Sequence, residues 1–295
     1  MAEVFLAERG LAERDLAVHL MADRSQVEQD VSHALHEDVG AGDINAALIP
    51  AEQRGRAKIL VREACVLSGM AWASLCFKHF DPNAELIWHA EDGDRVAANA
   101  VIVEIAAQAR ALLTGERAAL NFLQTLSATA TQTAHYAAMI AHTNTKILDT
   151  RKTLPGLRYA QKYAVRCGGG VNHRFGLYDA FLLKENHISA AGSIEAAVTR
   201  ARLIAPDALL EVEVETFEQL DQCLSLGVKR VLLDNFSVAN AKRAVDLMAG
   251  RIQLEASGGI GESDLVAYAE AGVDFISVGA LTKHIRAIDL SMRFI

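Results

Sequence analysis

The sequence predicts an α/β fold: a β/α barrel over residues 115–295, preceded by a smaller α+β domain over residues 1–114. Three observations carry this. From Lys146 onward, short apolar runs recur six times, each closed by a polar or glycine-rich tip and followed by a helical stretch. Apolar strands alternating with helices form parallel sheets, and so many successive units favour closure into a barrel. The first third lacks that rhythm and reads as paired strands with separate helices. Finally, 295 residues, 51% of them apolar and only 4 of them proline, suit a barrel plus a smaller domain and exclude a disordered chain.

Taken in order, residues 1–24 read as a helix or a loosely packed arm. Ser25 with Glu28 has the form of a capping box, and Val27, Val31, Ala34 and Leu35 follow at helical spacing. EDVGAGDIN closes that helix. His33 and His36 sit three apart and read as an exposed helical pair, since no third ligand follows at a metal-binding spacing. Ala57–Arg62 is a predicted strand and Gly69–Phe80 a helix. Glu85–Ala90 and Val101–Ala106 are strands about the turn Asp92-Gly93-Asp94.

Thr114 is the expected cap of the next helix, which places Arg117 in its first turn, against the helix dipole. Ala118–Thr145 carries no Lys, Arg, Asp or Glu and has the length to span a bilayer. Asn121, Gln124, Ser127, Thr129, Thr131, Gln132, Thr133 and His135 make it too polar for lipid, so a helix buried inside the protein or between subunits is expected. The barrel runs then follow as KILD (146–149), AFLL (180–183), LLEVEVE (209–215), RVLL (230–233), 252–256 and FISV (275–278). The last few residues can return to the N-terminal domain.

The chain is acidic, with a formal net charge of -8, which argues against nucleic acid as a partner. MAEVFLAERGLAERD lacks the basic start of a secretory signal, and Cys65, Cys76, Cys167 and Cys223 form no CxxC spacing. Free thiols in a reducing cytoplasm are the expectation, with no membrane partner.

One stretch reverses the charge balance. Between Asp149 and His187, Arg151, Lys152, Arg158, Lys162, Arg166, Arg174 and Lys184 face only Asp149, Asp179 and Glu185. Clustered cations in an anionic chain point to an anionic ligand, and arginine forks suit carboxylates and phosphates. In a barrel the chemistry sits at the C-terminal ends of the strands, where the polar tips fall. Thr150, Arg151 and Lys152 form one tip, His173 and Arg174 follow a glycine triplet, and Lys184 forms another. Lys184 could serve as a Schiff-base lysine or as a charged clamp; acidic neighbours favour the clamp. Ser257-Gly258-Gly259 and Val278-Gly279-Ala280 offer backbone N–H groups either as tight turns or, in two successive late units, as a phosphate cradle. Alternation along LLEVEVE puts Glu211, Glu213 and Glu215 on one face and Val212 and Val214 on the other. Glu213 and Asp234, on neighbouring strands, can hold Mg²⁺, bind ribose hydroxyls or neutralise Lys184 and Arg151.

DTRKTLPGLR, KYAV..GGG..NHR and LLKENHI together resemble the quinolinate phosphoribosyltransferase family, also called nicotinate-nucleotide pyrophosphorylases (carboxylating). EDVGAGDI at 37–44, GERAALNFLQTLSATAT at 115–131, EVEVE at 211–215, LLDNF at 232–236, EASGGI at 255–260 and FISVGALTKH at 275–284 extend the likeness over almost the whole chain. Ala118, where the family often has Thr, and Ala128, where SG is usual, depart from it without touching a charged position.

The resemblance implies an incomplete barrel of six or seven strands. It implies phosphoribosyl transfer from phosphoribosyl pyrophosphate (PRPP) to quinolinate with loss of CO₂, giving nicotinate mononucleotide and pyrophosphate in NAD biosynthesis. Arg151, His173 and Arg174 would then grip the quinolinate carboxylates, joined by Arg117 from the other subunit of a homodimer. Lys152 and Lys184 would meet the pyrophosphate and the reacting centre. Glu213 and Asp234 would bind Mg²⁺ or the ribose, and the loops at Ser257-Gly258-Gly259 and Val278-Gly279-Ala280 the 5′-phosphate. The rival readings are a relative of the same fold acting on another anionic aromatic base, and an imine-forming lyase working through Lys184.

Overall fold

The computed structural model describes residues 22–295; the arm expected over residues 1–24 lies almost wholly outside them. Two compact units emerge. The first takes in the described residues up to 134 together with 154–169 and 285–295, and the second takes in 135–153 and 170–284.

In the first unit an antiparallel sheet has the order β12-β1-β5-β3, formed by Leu290–Phe294, Arg54–Val61, Val101–Gln108 and Glu85–Trp88. The C-terminal strand β12 pairs antiparallel with β1, Ile59 opposite Met292. A second, two-stranded piece joins β2 (Cys65–Val66) and β4 (Arg95–Val96). Helices α1 (Arg24–Val39), α2 (Met70–Phe80), most of α3 (Ala109–Met139) and α4 (Arg158–Cys167) accompany the sheet. Their apolar stripes close one core around Trp72, Phe77, Ile59, Ile102, Ile105, Leu112 and Leu123, all at most 1% exposed. Trp72 Nε1 donates to Asp30 Oδ2 at 2.8 Å, so the largest core side chain leaves no polar atom stranded.

Two helix starts differ from expectation. Asp23, not Ser25, caps α1, its side chain accepting from Gln26 N. Ser25 Oγ donates to that same Asp23 carboxylate, and Glu28 pairs with Arg24 instead of closing a box. Helix α3 begins at Ala109, directly after β5, so Thr114 lies within it and donates to Asp43 Oδ2 at 3.0 Å. Arg117 is therefore two turns into the helix, and the dipole argument made for it does not apply. Ala118 and Ala128, the two family departures, are 3% and 6% exposed on α3. Among the described residues no helix is long and apolar enough to cross a membrane.

Close approach explains a glycine at the end of α4. A side-chain carbon at Gly168 would lie 2.4 Å from the Ala130 carbonyl oxygen and 2.6 Å from Thr133 Cβ. Both neighbours are fixed in α3, so the clash falls on backbone. Gly168→Ala is expected to cost about 2–3 kcal/mol of stability, read as a lowered melting temperature. An unchanged melting temperature would show that the helices separate freely here.

The second unit is a parallel sheet of six strands in the order β6-β11-β10-β9-β8-β7. These are Lys146–Leu148, Phe275–Ser277, Gln253–Ser257, Arg230–Asp234, Leu209–Val214 and Ala180–Leu183. Edge strands β6 and β7 do not pair with each other among the described residues, so the barrel is open where the residue pattern alone favoured closure. Among the described residues, a bridge between Leu148 and Val171 is the only addition at the β6 edge. Helices α5 (Glu185–Ala191), α6 (Ile194–Ile204), α7 (Phe217–Ser225), α8 (Val238–Met248), α9 (Glu262–Glu270) and the short α10 (Ala280–Lys283) follow the strands in turn. Ser193, Thr216 and Ser237 cap α6, α7 and α8 through side-chain oxygens. Val212, Val214, Val231, Leu233 and Ile276 form the core beneath these helices. Side-chain alternation then sends Glu211 and Glu213 to the opposite face of β8.

Candidate active site

A cavity of about 600 Å³ opens at the C-terminal ends of the parallel strands. Strand after strand delivers a tip to it: Thr150, Arg151 and Lys152 after β6, Lys184 after β7, Glu213 from β8 and Asp234 from β9. Ser257, Gly258 and Gly259 follow β10, and Gly279 and Ala280 follow β11. His173 and Arg174 complete the wall. Thirteen of the fifteen expected positions line the cavity; two stand apart. Val278 is buried and packs in the core, and Arg117 belongs to the first unit. Lys283, His284 and Glu255 also line the cavity and were not expected.

Two carboxylates, Asp149 buried and Asp179 exposed, anchor the loop that carries the cationic wall. Asp149, fully buried, accepts from Asn172 Nδ2 at 2.6 Å and from His173 N at 2.9 Å, fixing the loop that follows the glycine triplet. Asp179 accepts from Phe175 N and Gly176 N, closing the far side of that loop. Between these anchors Arg174 donates from Nη1 to the Ala180 carbonyl at 3.2 Å. Burial, and secondly the neighbouring charge of Arg151, hold Arg174 below the usual guanidinium pKa. Two guanidinium groups brought together in a half-buried wall repel each other unless an anion lies between them.

Opposite, Lys184 Nζ is 2.5 Å from Glu213 Oε2. Asp234 accepts from Asn235 Nδ2 at 2.9 Å. Lys152 is held through its backbone, its N–H donating to Thr150 Oγ1 and its carbonyl accepting from Thr282 Oγ1 at 2.9 Å. Its side chain lies along Gly279, where an added carbon would meet Lys152 Cδ at 3.1 Å. The glycine-rich tips are therefore shaped by close approach as well as by turning.

At the floor of the cavity His173 Nε2 lies 3.0 Å from Glu211 Oε2 and 3.6 Å from Glu255 Oε2. Both glutamates are fully buried, and burial raises both carboxyl pKa values, that of Glu255 further because Glu211 adds its charge. Strand alternation marked Glu211 as inward-facing. For Glu255 the signal was a lone acid inside the apolar run 252–256, two residues before Ser257. His33 and His36 are exposed on α1, as the helical-pair reading expects.

Arginines paired for carboxylates, lysines beside two carboxyl groups and a glycine cradle suit a substrate pair carrying carboxylates and phosphates. Comparison with known proteins agrees with this chemistry. Family models described as Quinolinate phosphoribosyl transferase match residues 43–127 with the N-terminal domain and residues 129–293 with the C-terminal domain. The chain is 41% identical over 268 residues to a probable nicotinate-nucleotide pyrophosphorylase [carboxylating] of Bacillus subtilis (strain 168), covering 90% of this chain and 93% of the relative. A nicotinate-nucleotide pyrophosphorylase [carboxylating] of Mycobacterium leprae (strain TN) is 42% identical over 269 residues, covering 89% of this chain and 95% of the relative. The solved structure of the nicotinate-nucleotide pyrophosphorylase from Francisella tularensis superposes with a TM-score of 0.90 at 45% identity, over 94% of this chain and 99% of that one. Fold, cavity and likeness over nearly the full length converge: this chain belongs to the quinolinate phosphoribosyl transferase family.

Proposed function

We infer that the protein transfers the phosphoribosyl group of PRPP to the ring nitrogen of quinolinate, releasing pyrophosphate and CO₂ and forming nicotinate mononucleotide for NAD biosynthesis. The observation that carries this is the packing of Arg174 beside Arg151 in the same cavity as the Ser257–Gly259 cradle. That juxtaposition provides for a dicarboxylate and a phosphorylated sugar side by side.

In this reading Arg151 and Arg174 hold the quinolinate carboxylates, with His173 against them. Backbone N–H groups of Ser257-Gly258-Gly259 and of Gly279-Ala280 receive the 5′-phosphate. Lys152 and Lys184 face the pyrophosphate. As the bond from the sugar C1 to pyrophosphate breaks, the ring nitrogen bonds to C1, and Glu213 and Asp234 stabilise the positive charge on the sugar. The ribosylated nitrogen is then cationic. The bond from ring carbon 2 to its carboxylate breaks, CO₂ leaves, and the electron pair left on the ring is stabilised by that cation until a proton takes it. No protein nucleophile enters, so positioning and electrostatics supply the catalysis.

Glu213 and Asp234 also fit Mg²⁺, which takes one or two carboxylates and completes its shell with substrate oxygens. When bound, the ion supplies charge neutralisation for the departing pyrophosphate. We further propose a homodimer in which Arg117 of one subunit enters the partner's cavity; the exposed Leu177 and Tyr178 suit a subunit interface. The four buried, unpaired cysteines suit a reducing cytoplasm.

Incubating the protein with quinolinate, PRPP and Mg²⁺ is expected to yield nicotinate mononucleotide, pyrophosphate and CO₂ in equal amounts, and EDTA to stop the reaction. Absence of nicotinate mononucleotide would defeat the assignment. An imine-forming lyase is disfavoured by the engagement of the Lys184 ammonium with Glu213, and borohydride is expected to trap no substrate on that lysine.

A further inference from the structure

Two buried acids lie under the substrate-facing wall with no part in the chemistry above. Glu211 projects from β8 and Glu255 from β10, on either side of β9, and both are 0% exposed. All four carboxyl oxygens are shut off from solvent. None of the four oxygens has a hydrogen-bond partner of good geometry among the described residues, and the ring of His173 lies beside both side chains, its Nε2 3.0 Å from Glu211 Oε2 and 3.6 Å from Glu255 Oε2.

His173 stands on this pair, its side chain 9% exposed. Its Nδ1 accepts from Arg174 N at 2.7 Å, so that nitrogen carries no proton. The ring proton then sits on Nε2, 3.0 Å from Glu211 Oε2. The three residues have the spacing of a metal site, but a metal on Nε2 would drive the ring proton to Nδ1, against the Arg174 N–H.

We propose that Glu211 and Glu255 are positioning residues that lock His173 as its Nε2–H tautomer, so that the ring orients the Arg174 backbone and serves neither as a proton carrier nor as a metal ligand. Order then passes from the Glu211 side chain, through a fixed ring, to the backbone of Arg174. A dicarboxylate substrate meets that arginine preorganised, and binding need not order it. PRPP is held by other loops and gains nothing from this floor.

The inference rests on Arg174 facing quinolinate, and the test separates the two. In the substrate-free protein, ¹⁵N-resolved NMR of the His173 ring is expected to show a protonated Nε2 and an unprotonated Nδ1, and added Zn²⁺ is expected to leave those resonances in place. Glu211→Leu and Glu255→Leu are expected to raise the KM for quinolinate about tenfold or more, with the KM for PRPP moving less than about threefold. Glu255→Gln, which keeps a polar side chain of the same shape beside His173, is expected to restore most of what Glu255→Leu loses. Protonation at Nδ1, a ring signal that shifts with Zn²⁺, or an equal rise in both KM values would overturn the inference. If the leucine variants do not fold, the ring tautomer in the unaltered protein and in Glu255→Gln decides it. If Arg174→Ala leaves quinolinate binding unmoved, the site reading fails instead, while the tautomer measurement still stands.

Discussion

Arg174→Ala is expected to raise the KM for quinolinate about 100-fold or more while changing the KM for PRPP by less than about threefold. The guanidinium is half-buried, anchored to the Ala180 carbonyl and crowded by Arg151. That crowding is unfavourable by itself, and a bound dicarboxylate would relieve it. Removing Arg174 takes away a charge-assisted contact and also the repulsion that the ligand would relieve, leaving one carboxylate without a partner in a partly desolvated wall. Lysine at this position should recover only part of the loss, because an ammonium cannot give the two parallel donors of a guanidinium. Initial rates with each substrate varied in turn decide the matter. Equal weakening of both substrates would remove Arg174 from the carboxylate site.

The cavity was legible in the sequence because barrel geometry turns strand ends into a common rim. Once Lys184, Asp234 and Ser257 were each read as closing an apolar run, their convergence followed from parallel pairing alone, and the sheet realises it through neighbours such as Ser257 opposite Asp234. Local caps were less legible. At the start of helix α3, Gln108 N donates to Asp81 Oδ2 and Ala109 N to the Gln53 carbonyl. Those acceptors are distant in sequence, so the local residue pattern points to Thr114, whose hydroxyl is engaged by Asp43. Openness of the barrel was also hidden, since each strand looks alike whether or not the last one meets the first. Glu255 was hidden for a different reason. One acid in an apolar strand has no meaning until the sheet places it beside Glu211 and beneath His173.

Gly258→Ala is expected to lower kcat/KM for PRPP about 100-fold or more while the protein stays folded. The backbone at Gly258 has φ +114°, and an added carbon would fall 2.3 Å from Asn235 Oδ1 and 3.0 Å from Asn235 N. Asn235 cannot simply swing aside. It holds a left-handed backbone of its own at φ 55°, its N–H donates to the Ser257 carbonyl, and its Nδ2 donates to Asp234. One methyl group therefore disturbs the glycine cradle and the Asp234 carboxylate together, which are the two places where PRPP is proposed to be held. Gly259 provides the control. It too has a positive φ, +63°, yet an added carbon there meets nothing within 4 Å. Gly259→Ala should then carry only the backbone cost of about 1–2 kcal/mol, amounting to about tenfold if all of it fell on binding. Circular dichroism establishes folding in both variants, and PRPP titration separates them. If the two substitutions weaken PRPP equally, the backbone conformation alone matters and the contact with Asn235 has no part in shaping the cradle.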